Sequence, residues 1–350
     1  MRPTKWTKWV AIAGVTAMLA SGCSLIKSEE GAEIDPPQNA TGALDSSNPP
    51  AVPTGASPEQ QKGLQVTIYA KDPNGYVVPV SVQIPQTESV ARRTLEYMVE
   101  DGIGKDSLPP GFTALLPKGT QIKGLSINSE KKVATVDFSK EFTNYNVQDE
   151  RKIVEAVTWA LTGFPTVKEV NIWVEGRQLK EMPQGGLPLD GALSRAMGIN
   201  LEKAEDAEFG QTTPVTLYFL AQTDGPAQYY VPVTRMIKRT EDKAKATVEQ
   251  LIQGPMNQSR LTPVIASSVE VPTVEMSENL ITVNFSDTLL GPDDKAPIEA
   301  LQALVLSLTE TSGQSKVQIK VNGDTKVNAS DNQTYSQPVT RPANINPLKL

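Results

Sequence analysis

The sequence repeats itself once, and this internal repeat limits the possible folds more than any other feature. The two halves correspond at an offset of 146 to 149 residues. Three strand-like blocks carry the match: VTIY at 66–69 with VTLY at 215–218, ATVDFS at 134–139 with ITVNFS at 281–286, and VNIWVEG at 170–176 with VQIKVNG at 317–323. Each half also ends on an arginine and an asparagine, which are Arg195 and Asn200, then Arg341 and Asn346. Blocks in one order at nearly one offset predict a duplicated domain.

Hydrophobic periodicity predicts the same order of elements in both halves. Apolar residues alternate at Ala134, Val136 and Phe138, the pattern of a half-buried strand. They recur at helical spacing in four segments, 91–99, 153–161, 244–252 and 298–308. Glycines are predicted to end three of these helices, at Gly102, Gly163 and Gly254. Two strands, a helix, a hairpin, a helix and a closing strand predict an α+β fold. It would contain two tandem copies of a small sheet, each covered by helices on one face.

The composition excludes several kinds of chemistry. The 350 residues include no histidine, which removes Ser/His/Asp and Cys/His catalysis and the commonest zinc ligand sets. A single cysteine excludes an intrachain disulfide. The formal net charge of −7 gives no support to binding of nucleic acid or anionic lipid headgroups. We therefore expect no cofactor, no metal ion and no nucleic-acid partner.

The first 22 residues have the pattern of a cleaved export signal. Arg2, Lys5 and Lys8 precede an apolar run at 9–19, which is shorter than the roughly twenty residues of a membrane-spanning helix. Ala-Ser-Gly then precedes Cys23. Small residues before a cysteine resemble the lipobox of bacterial lipoproteins, which implies that Cys23 carries a diacylglyceryl group and acyl chains such as palmitate. An ordinary signal peptide that contains a cysteine is the alternative.

A spacer is predicted after the cysteine. Six prolines lie between residues 36 and 58 among Ser, Thr, Asn, Gly and Ala, and no strand or helix period is present. Such a segment buries too little apolar surface to offset the entropy of ordering it. We therefore predict a lipidated, disordered tether at 23–62, a first folded copy at 63–203 and a second at 204–350.

Several motifs in the first half resemble a known family. They are LPKGT at 116–120, VATVDFS at 133–139, Glu141 with Phe142, and the run from 159 to 176, WALTGFPTVKEVNIWVEG. Together they are similar to the GerMN domain. The resemblance extends over residues 64 to 350 and the signal, although the second half lacks the Leu-Pro-x-Gly-Thr motif.

The resemblance implies a structural role in endospore formation. Lipoproteins with two GerMN domains belong to the assembly that crosses the two membranes between mother cell and forespore, the SpoIIIA–SpoIIQ complex. Their domains resemble the ring-building modules of secretion machines. The expected partners are proteins of that complex, the expected anchor is a lipid on Cys23, and the expected location is the space between the two membranes. A peptidoglycan-lytic enzyme and a glycan- or solute-binding lipoprotein are the alternatives, and no small-molecule substrate is expected.

Acidic residues in the first half are the main candidates for catalysis. Asp137, Glu141 and Glu175 could supply the paired carboxylates of a glycosidase. However, Asn284 and Asn322 stand at the positions of Asp137 and Glu175 in the second half. A polar residue on the outward side of a strand explains both halves equally well. We therefore predict no catalytic residue.

Two further motifs have structural and functional interpretations. Residues 117–120 could hold phosphate, but they lack the glycine spacing of a P-loop, and a turn before a strand explains them better. An acidic stretch could bind calcium, but it lacks the Asp/Asn alternation of a calcium loop, and a solvated linker between the copies is the preferred interpretation. Its members are Glu202, Glu205, Asp206 and Glu208.

Four arginines are candidates for contact with a partner protein. Arg195 and Arg341 follow the closing strand of each half, where they could either pair with a carboxylate of the neighbouring copy or face a partner. The first of these is the preferred interpretation. Arg92 and Arg93 lie on the predicted solvated side of the first helix.

Overall fold

The computed structural model describes residues 63–208 and 210–347. Cys23, the predicted export signal and the predicted tether lie outside the described residues. Among those residues, no helix has both the length and the apolar character that crossing a membrane requires.

Both halves contain the predicted order of elements. The first comprises β1 (Leu64–Lys71), β2 (Val77–Ile84), α1 (Val90–Glu96), β3 (Thr113–Ala114), β4 (Ile122–Asn128), β5 (Val133–Phe138), α2 (Glu150–Leu161), β6 (Glu169–Val174) and β7 (Arg177–Gln178). The second comprises β8 (Glu202–Lys203), β9 (Thr212–Gln222), β10 (Gln228–Lys238), α3 (Lys243–Gln253), β11 (Thr273–Ser277), β12 (Leu280–Phe285), α4 (Ile298–Ser312), β13 (Lys316–Val321) and β14 (Val339–Thr340). The α+β class and the duplication are therefore confirmed.

The strands of each copy form two sheets. In the first copy the strand orders are β2-β1-β3 and β4-β5-β6-β7, and in the second they are β8-β10-β9 and β11-β12-β13-β14. The hairpins are antiparallel, whereas β5 pairs with β6 and β12 with β13 in parallel, because a helix connects them. The long segment between β2 and β4 holds α1 and β3, so the two sheets of a copy do not merge.

The boundary predicted at residue 203 falls inside the connection between the copies. β8 lies just before that boundary and pairs in parallel with β10 of the second copy, through Glu202 opposite Arg235. The domain limits derived from the sequence stay a prediction. One hydrophobic core runs through both halves, from Val66 to Ile345.

The first helix of the first copy is shorter than predicted. α1 ends at Glu96, although the apolar helical pattern continues through Met98 and Val99. The backbone of these two residues is used differently, because Leu116 N donates to Met98 O at 2.9 Å and Leu116 bridges Val99 in parallel. A contact distant in the sequence thus ends the helix before Gly102.

The other helix ends follow local chemistry. α3 begins where the Asp242 side chain accepts from Lys245 N, and it ends at Gly254 with φ 84°. α4 ends at Gly313 in the left-handed region, with φ 70°. α2 ends at Leu161, next to Gly163 as predicted.

The LPKGT motif forms a turn before β4, as expected. Thr120 N donates to Pro117 O at 3.1 Å, and Gly119 adopts φ 80°. The second copy lacks the motif and also turns here, since Val269 N donates to Ala266 O at 3.0 Å, but no residue from 266 to 269 has a positive φ. Both copies therefore turn before their second sheet, with different backbone conformations.

Candidate functional site

The segment after each closing strand joins the two copies. Asn200, after the first copy, donates through Nδ2 to Val77 O on β2 at 2.8 Å and to Pro232 O on β10 at 2.7 Å. Its Oδ1 accepts from Val77 N at 2.8 Å. One amide side chain thus connects β2 of the first copy with β10 of the second.

Asn346, after the second copy, repeats this arrangement with the copies exchanged. Its Nδ2 donates to Tyr230 O on β10 and to Pro79 O on β2, both at 2.8 Å, and its Oδ1 accepts from Tyr230 N at 2.7 Å. Asn200 and Asn346 have φ values of 48° and 52°, a region that asparagine enters more readily than most residues.

The residues before the asparagines add a second reciprocal contact. Thr234 N on β10 donates to Ile199 O at 2.8 Å, and Ser81 N on β2 donates to Ile345 O at 3.1 Å. Each tail therefore pairs with a strand of the other copy. Contacts in which i meets j′ and j meets i′ are the property of an isologous, two-fold interface. We call these contacts, together with the ion cluster described next, the joint.

The ion cluster lies on α4. Glu310 accepts from Arg195 Nη1 through Oε1 at 2.9 Å and Oε2 at 2.7 Å, and Arg341 Nη2 lies 3.0 Å from the same Oε2. The Arg195 guanidinium lies 4.5 Å from the ring centroid of Trp159, and that of Arg341 lies 5.2 Å from the ring of Tyr218. One carboxylate thus binds an arginine from the end of each copy.

The electrostatics of this cluster favour the charged form of the carboxylate. Burial by itself raises the pKa of Glu310, but the charges of Arg195 and Arg341 lower it by more, so its pKa lies below the usual range. Arg195 and Arg341, two of the four predicted interface arginines, thus direct their charge into the protein. Their use by a partner protein stays a prediction, and the proposals below do not rest on it.

Arg92 and Arg93 do not lie on a fully solvated helix face, so that expectation is wrong. Both are half-buried. Arg92 Nη1 donates to Ile122 O at the start of β4, and Arg93 forms an ion pair with Glu96 at 3.0 Å. Reversing these charges would therefore disturb the packing of α1 as well as its surface.

The candidate carboxylates hold turns. Asp137 Oδ1 accepts from Gly176 N at 3.0 Å, and Asn284 Oδ1 accepts from Gly323 N at 2.7 Å in the second copy. The residues before these glycines, Glu175 and its counterpart in the second copy, both have φ 50°. One turn after the parallel strand pair thus explains the acid in one copy and the amide in the other.

The two glutamates near that turn have lowered pKa values. A hydrogen bond from Ser139 lowers the pKa of Glu141, and a hydrogen bond from Lys123 lowers the pKa of Glu175. A glycosidase acid requires a raised pKa. Neither glutamate is therefore suited to protonate a leaving group.

The acidic stretch is not wholly solvated, which corrects the linker expectation at one position. Glu202 lies on β8 and accepts from Arg235 Nε at 2.6 Å, while Arg235 itself is buried on β10. Arg235 also donates to Gln250 Oε1 and Gly254 O, both at 2.9 Å. Within the described ranges, no three acidic or thiol side chains are grouped as metal ligands would be.

Comparison with known proteins decides the family. The Germane family, described as "Sporulation and spore germination", matches residues 67–180 and 216–327, once in each copy. The chain belongs to the Germane family. The resemblance to GerMN domains is confirmed by two relatives, described next.

Both relatives of this Germane chain come from Bacillus subtilis. The spore germination protein GerM of strain 168 is 36% identical over 362 aligned positions, which cover 97% of this chain and 98% of that protein. The solved structure of the tandem GerMN domains of the sporulation protein GerM is 36% identical, with a TM-score of 0.76, and covers 81% of this chain and 99% of that one. Both are described as sporulation or germination proteins.

Glu310 of this Germane chain, the carboxylate that pairs with both Arg195 and Arg341, was not identified from the sequence. Glu310 lies in the polar last turn of α4, Thr-Glu-Thr-Ser, and off the apolar stripe of that helix, so the sequence carried no signal that distinguished it from a solvated residue. Arg235 did carry a signal, since it occupies an inward position on β10 between Thr234 and Met236.

The asparagines of the joint should contribute measurably to stability. We expect Asn346→Ala to lower the free energy of unfolding by about 1–3 kcal/mol, because three buried or part-buried backbone groups lose a partner. Asn346→Gly keeps access to positive φ while removing the amide, so it separates backbone strain from hydrogen bonding. Urea unfolding measures both. Equal stability of Asn346→Ala and the wild type would contradict the proposed role of Asn346 in the joint.

The ion cluster should make the joint sensitive to acid. A carboxylate whose pKa is lowered on folding adds stability above its unfolded pKa, and this stability is lost as the pH falls through the folded value. We expect the stability advantage of the wild type over Glu310→Gln to shrink when the pH falls from about 6 to about 3. Denaturant unfolding at each pH measures this difference.

The comparison with Glu310→Gln is needed because other carboxylates act in the opposite direction. Burial raises the pKa values of Asp72 and Glu155, so their protonation in acid favours the folded state. Both groups are present in the wild type and the variant, and the difference cancels them. A difference that does not change with pH would show that Glu310 is not the titrating group.

Proposed function

We propose that the chain is a lipid-anchored, non-enzymatic structural protein of endospore formation that acts by contact with other proteins. Its site of action would be the assembly between mother cell and forespore, the SpoIIIA–SpoIIQ complex, and its anchor would be a diacylglyceryl group on Cys23. Membership of the Germane family supports the link to sporulation.

The reciprocal joint is the observation that carries the structural part of this proposal. Asn200 and Asn346 fix the two copies to each other, and Glu310 forms an ion pair with an arginine from each. Such a joint presents the outer surfaces of two like domains in one fixed arrangement. A scaffold that positions partner proteins needs this property, and a standard contact of about 800 Å² per partner fits on one copy.

The candidate carboxylates also support the non-enzymatic part. Asp137 holds the Gly176 turn, and the second copy holds the same turn with an amide. Glu175 accepts from Lys123 Nζ at 2.6 Å and from Lys140 N at 3.0 Å. These contacts give Asp137 and Glu175 a structural use, and Asn284 has the same use as Asp137 in the second copy.

The anchor is tested by Cys23→Ala. We expect the variant to lack lipid mass and to leave the membrane fraction, because two acyl chains give stable attachment and their loss removes it. In sporulating cells, we also expect a component of the septal assembly to lose its position. Intact mass spectrometry and fluorescence localisation measure the two effects, with Ser24→Ala as the neighbouring control. A wild-type protein without lipid on Cys23 would refute the anchor.

The enzymatic alternative is tested by the double change Asp137→Asn and Glu141→Gln. We expect normal spore formation, because asparagine already occupies the first position in the second copy. Spore counts after heat treatment measure the outcome, with immunoblotting to show equal protein levels. Loss of spores at a normal level of folded protein would instead favour a peptidoglycan-lytic activity.

A further inference from the structure

Most long strand edges of the described residues are covered by another part of the chain. On β9, Thr216 N donates to Thr311 Oγ1 and Tyr218 N donates to Ser307 Oγ, both at 2.9 Å. Thr311 and Ser307 lie on α4, so this helix covers the edge of β9. On β2, the tail of the second copy closes the edge through Ser81. Covered edges do not recruit strands from other chains.

The edge of β4 is guarded in a different way. Its pairing with β5 is interrupted by a bulge between Ile122 and Gly124. Lys123 lies in this bulge and pairs with Glu175, while Arg92 donates to the Ile122 carbonyl. Bulges and lysines are the devices by which natural proteins protect edge strands from pairing.

β11 occupies the same place in the second copy and lacks these guards. It pairs with β12 without interruption, from Thr273 opposite Asn284 to Ser277 opposite Leu280. A two-residue turn links Ser277 to Leu280, so the backbone of every second residue, counted back from Ser277, is hydrogen-bonded to β12. The residues between them direct their backbone N–H and C=O groups away from β12. Val274 is one of these.

Met276 is the other residue with outward backbone groups. Apart from the ladder with β12, neither residue has a backbone partner anywhere in 63–208 or 210–347. Lys245 stands at the α3 position that matches Arg92 and does not reach the strand, because it faces Glu249 at 3.9 Å. The β11 edge is therefore open to another strand.

The chemistry around β11 is apolar and acidic. Val271 is 52% exposed and Met276 is 56% exposed, among the most exposed large apolar side chains described. Three exposed glutamates accompany them, Glu270, Glu275 and Glu278, and the sequence from 261 to 294 contains no lysine or arginine. The basic residues of the same sheet, Lys316 and Lys320, stand two strands away on β13.

We propose that β11 is the docking edge for an extended, basic segment of another protein, which adds to the sheet as a fifth strand. Main-chain hydrogen bonds to Val274 and Met276 would provide the pairing, and a lysine or arginine would face Glu275. The proposal deepens the proposed function, on which it rests, by naming one contact surface and the chemistry of its partner.

A second copy of this chain is a poorer occupant. Two chains paired through β11 would bring six glutamates, three from each chain, into one small contact, and like charges on facing strands are destabilising. A basic segment can both bond the outward backbone groups of Val274 and Met276 and pair with the glutamates, so it is the occupant that we propose.

The experiment uses the purified full chain and a synthetic peptide as probe. The peptide has nine residues, acetylated and amidated, in which lysine or threonine alternates with valine. One control peptide replaces lysine with glutamate, and another carries N-methyl groups on alternate backbone amides, which prevents strand pairing. Fluorescence anisotropy measures affinity, and amide hydrogen exchange by NMR measures protection. We expect binding of the first peptide alone, with new protection at Val274 and Met276.

Two variants locate the site. Val274→Pro removes an outward N–H without breaking the ladder to β12, and we expect it to weaken peptide binding by about tenfold or more. Glu275→Lys should weaken binding by about fivefold. Glu88→Lys, the same charge change at an exposed position of the first copy, should leave binding unchanged. Unfolding curves establish that each variant is folded.

Each other outcome overturns the proposal. Absence of binding at millimolar peptide, equal binding of the acidic or N-methylated peptide, or binding without protection at Val274 and Met276 would exclude strand addition by a basic segment. Protection of these amides in the free chain that rises with its concentration would assign the edge to a second copy instead. None of these results bears on the septal localisation that tests the proposed function, so the two can fail separately.

Discussion

The Glu310 side chain on α4 is only 9% exposed, and its carboxylate pairs with Arg195 from the end of the first copy and Arg341 from the end of the second. A buried carboxylate is costly unless it is paired, and removal of one partner from a buried pair typically costs about 3–5 kcal/mol. Separating the copies would remove Arg195 from Glu310, because Arg195 belongs to the first copy and Glu310 to the second, and the stabilisation from this pair would be lost. The position of the two copies relative to each other therefore depends on this contact, together with the hydrogen bonds of Asn200 and Asn346.

The joint also shows how a duplicated sequence can become one structural unit. The asparagine clamps keep the equivalence of the copies, since each bonds one strand of its own copy and one of the other. The ion cluster breaks this equivalence, because a single glutamate on α4 pairs with both arginines. When two identical chains form a two-fold interface, the surface of each is buried and can bind no further copy. The same holds here for the two copies within one chain. Contacts with other proteins are therefore left to surfaces outside the joint, and on these surfaces the copies have diverged, as β4 and β11 show.

The sequence predicted well the features that depend on local pattern. Alternation placed β5 and β12, helical spacing placed α2 and α4, and the repeat predicted the same order of elements in both halves. It failed where a distant contact decides. Helix α1 stops early because Leu116 takes the backbone of Met98, and Glu202 is half-buried because Arg235 reaches it from β10. The recurrence of Arg195 and Arg341 was visible, but their shared partner was not, since Glu310 lies 115 residues beyond Arg195.

The seating of the second tail has a consequence for the order of folding. Ser81 on β2 finds its partner in Ile345, 264 residues later in the chain. The first copy emerges early during synthesis, yet the edge of β2 lacks this partner until Ile345 has been made. Contacts of such sequence separation form slowly, and an unpaired edge invites wrong pairing while it waits. The segment of Ile345 and Asn346 thus closes the edge of β2, and its synthesis sets the earliest moment at which folding of the first domain can be complete.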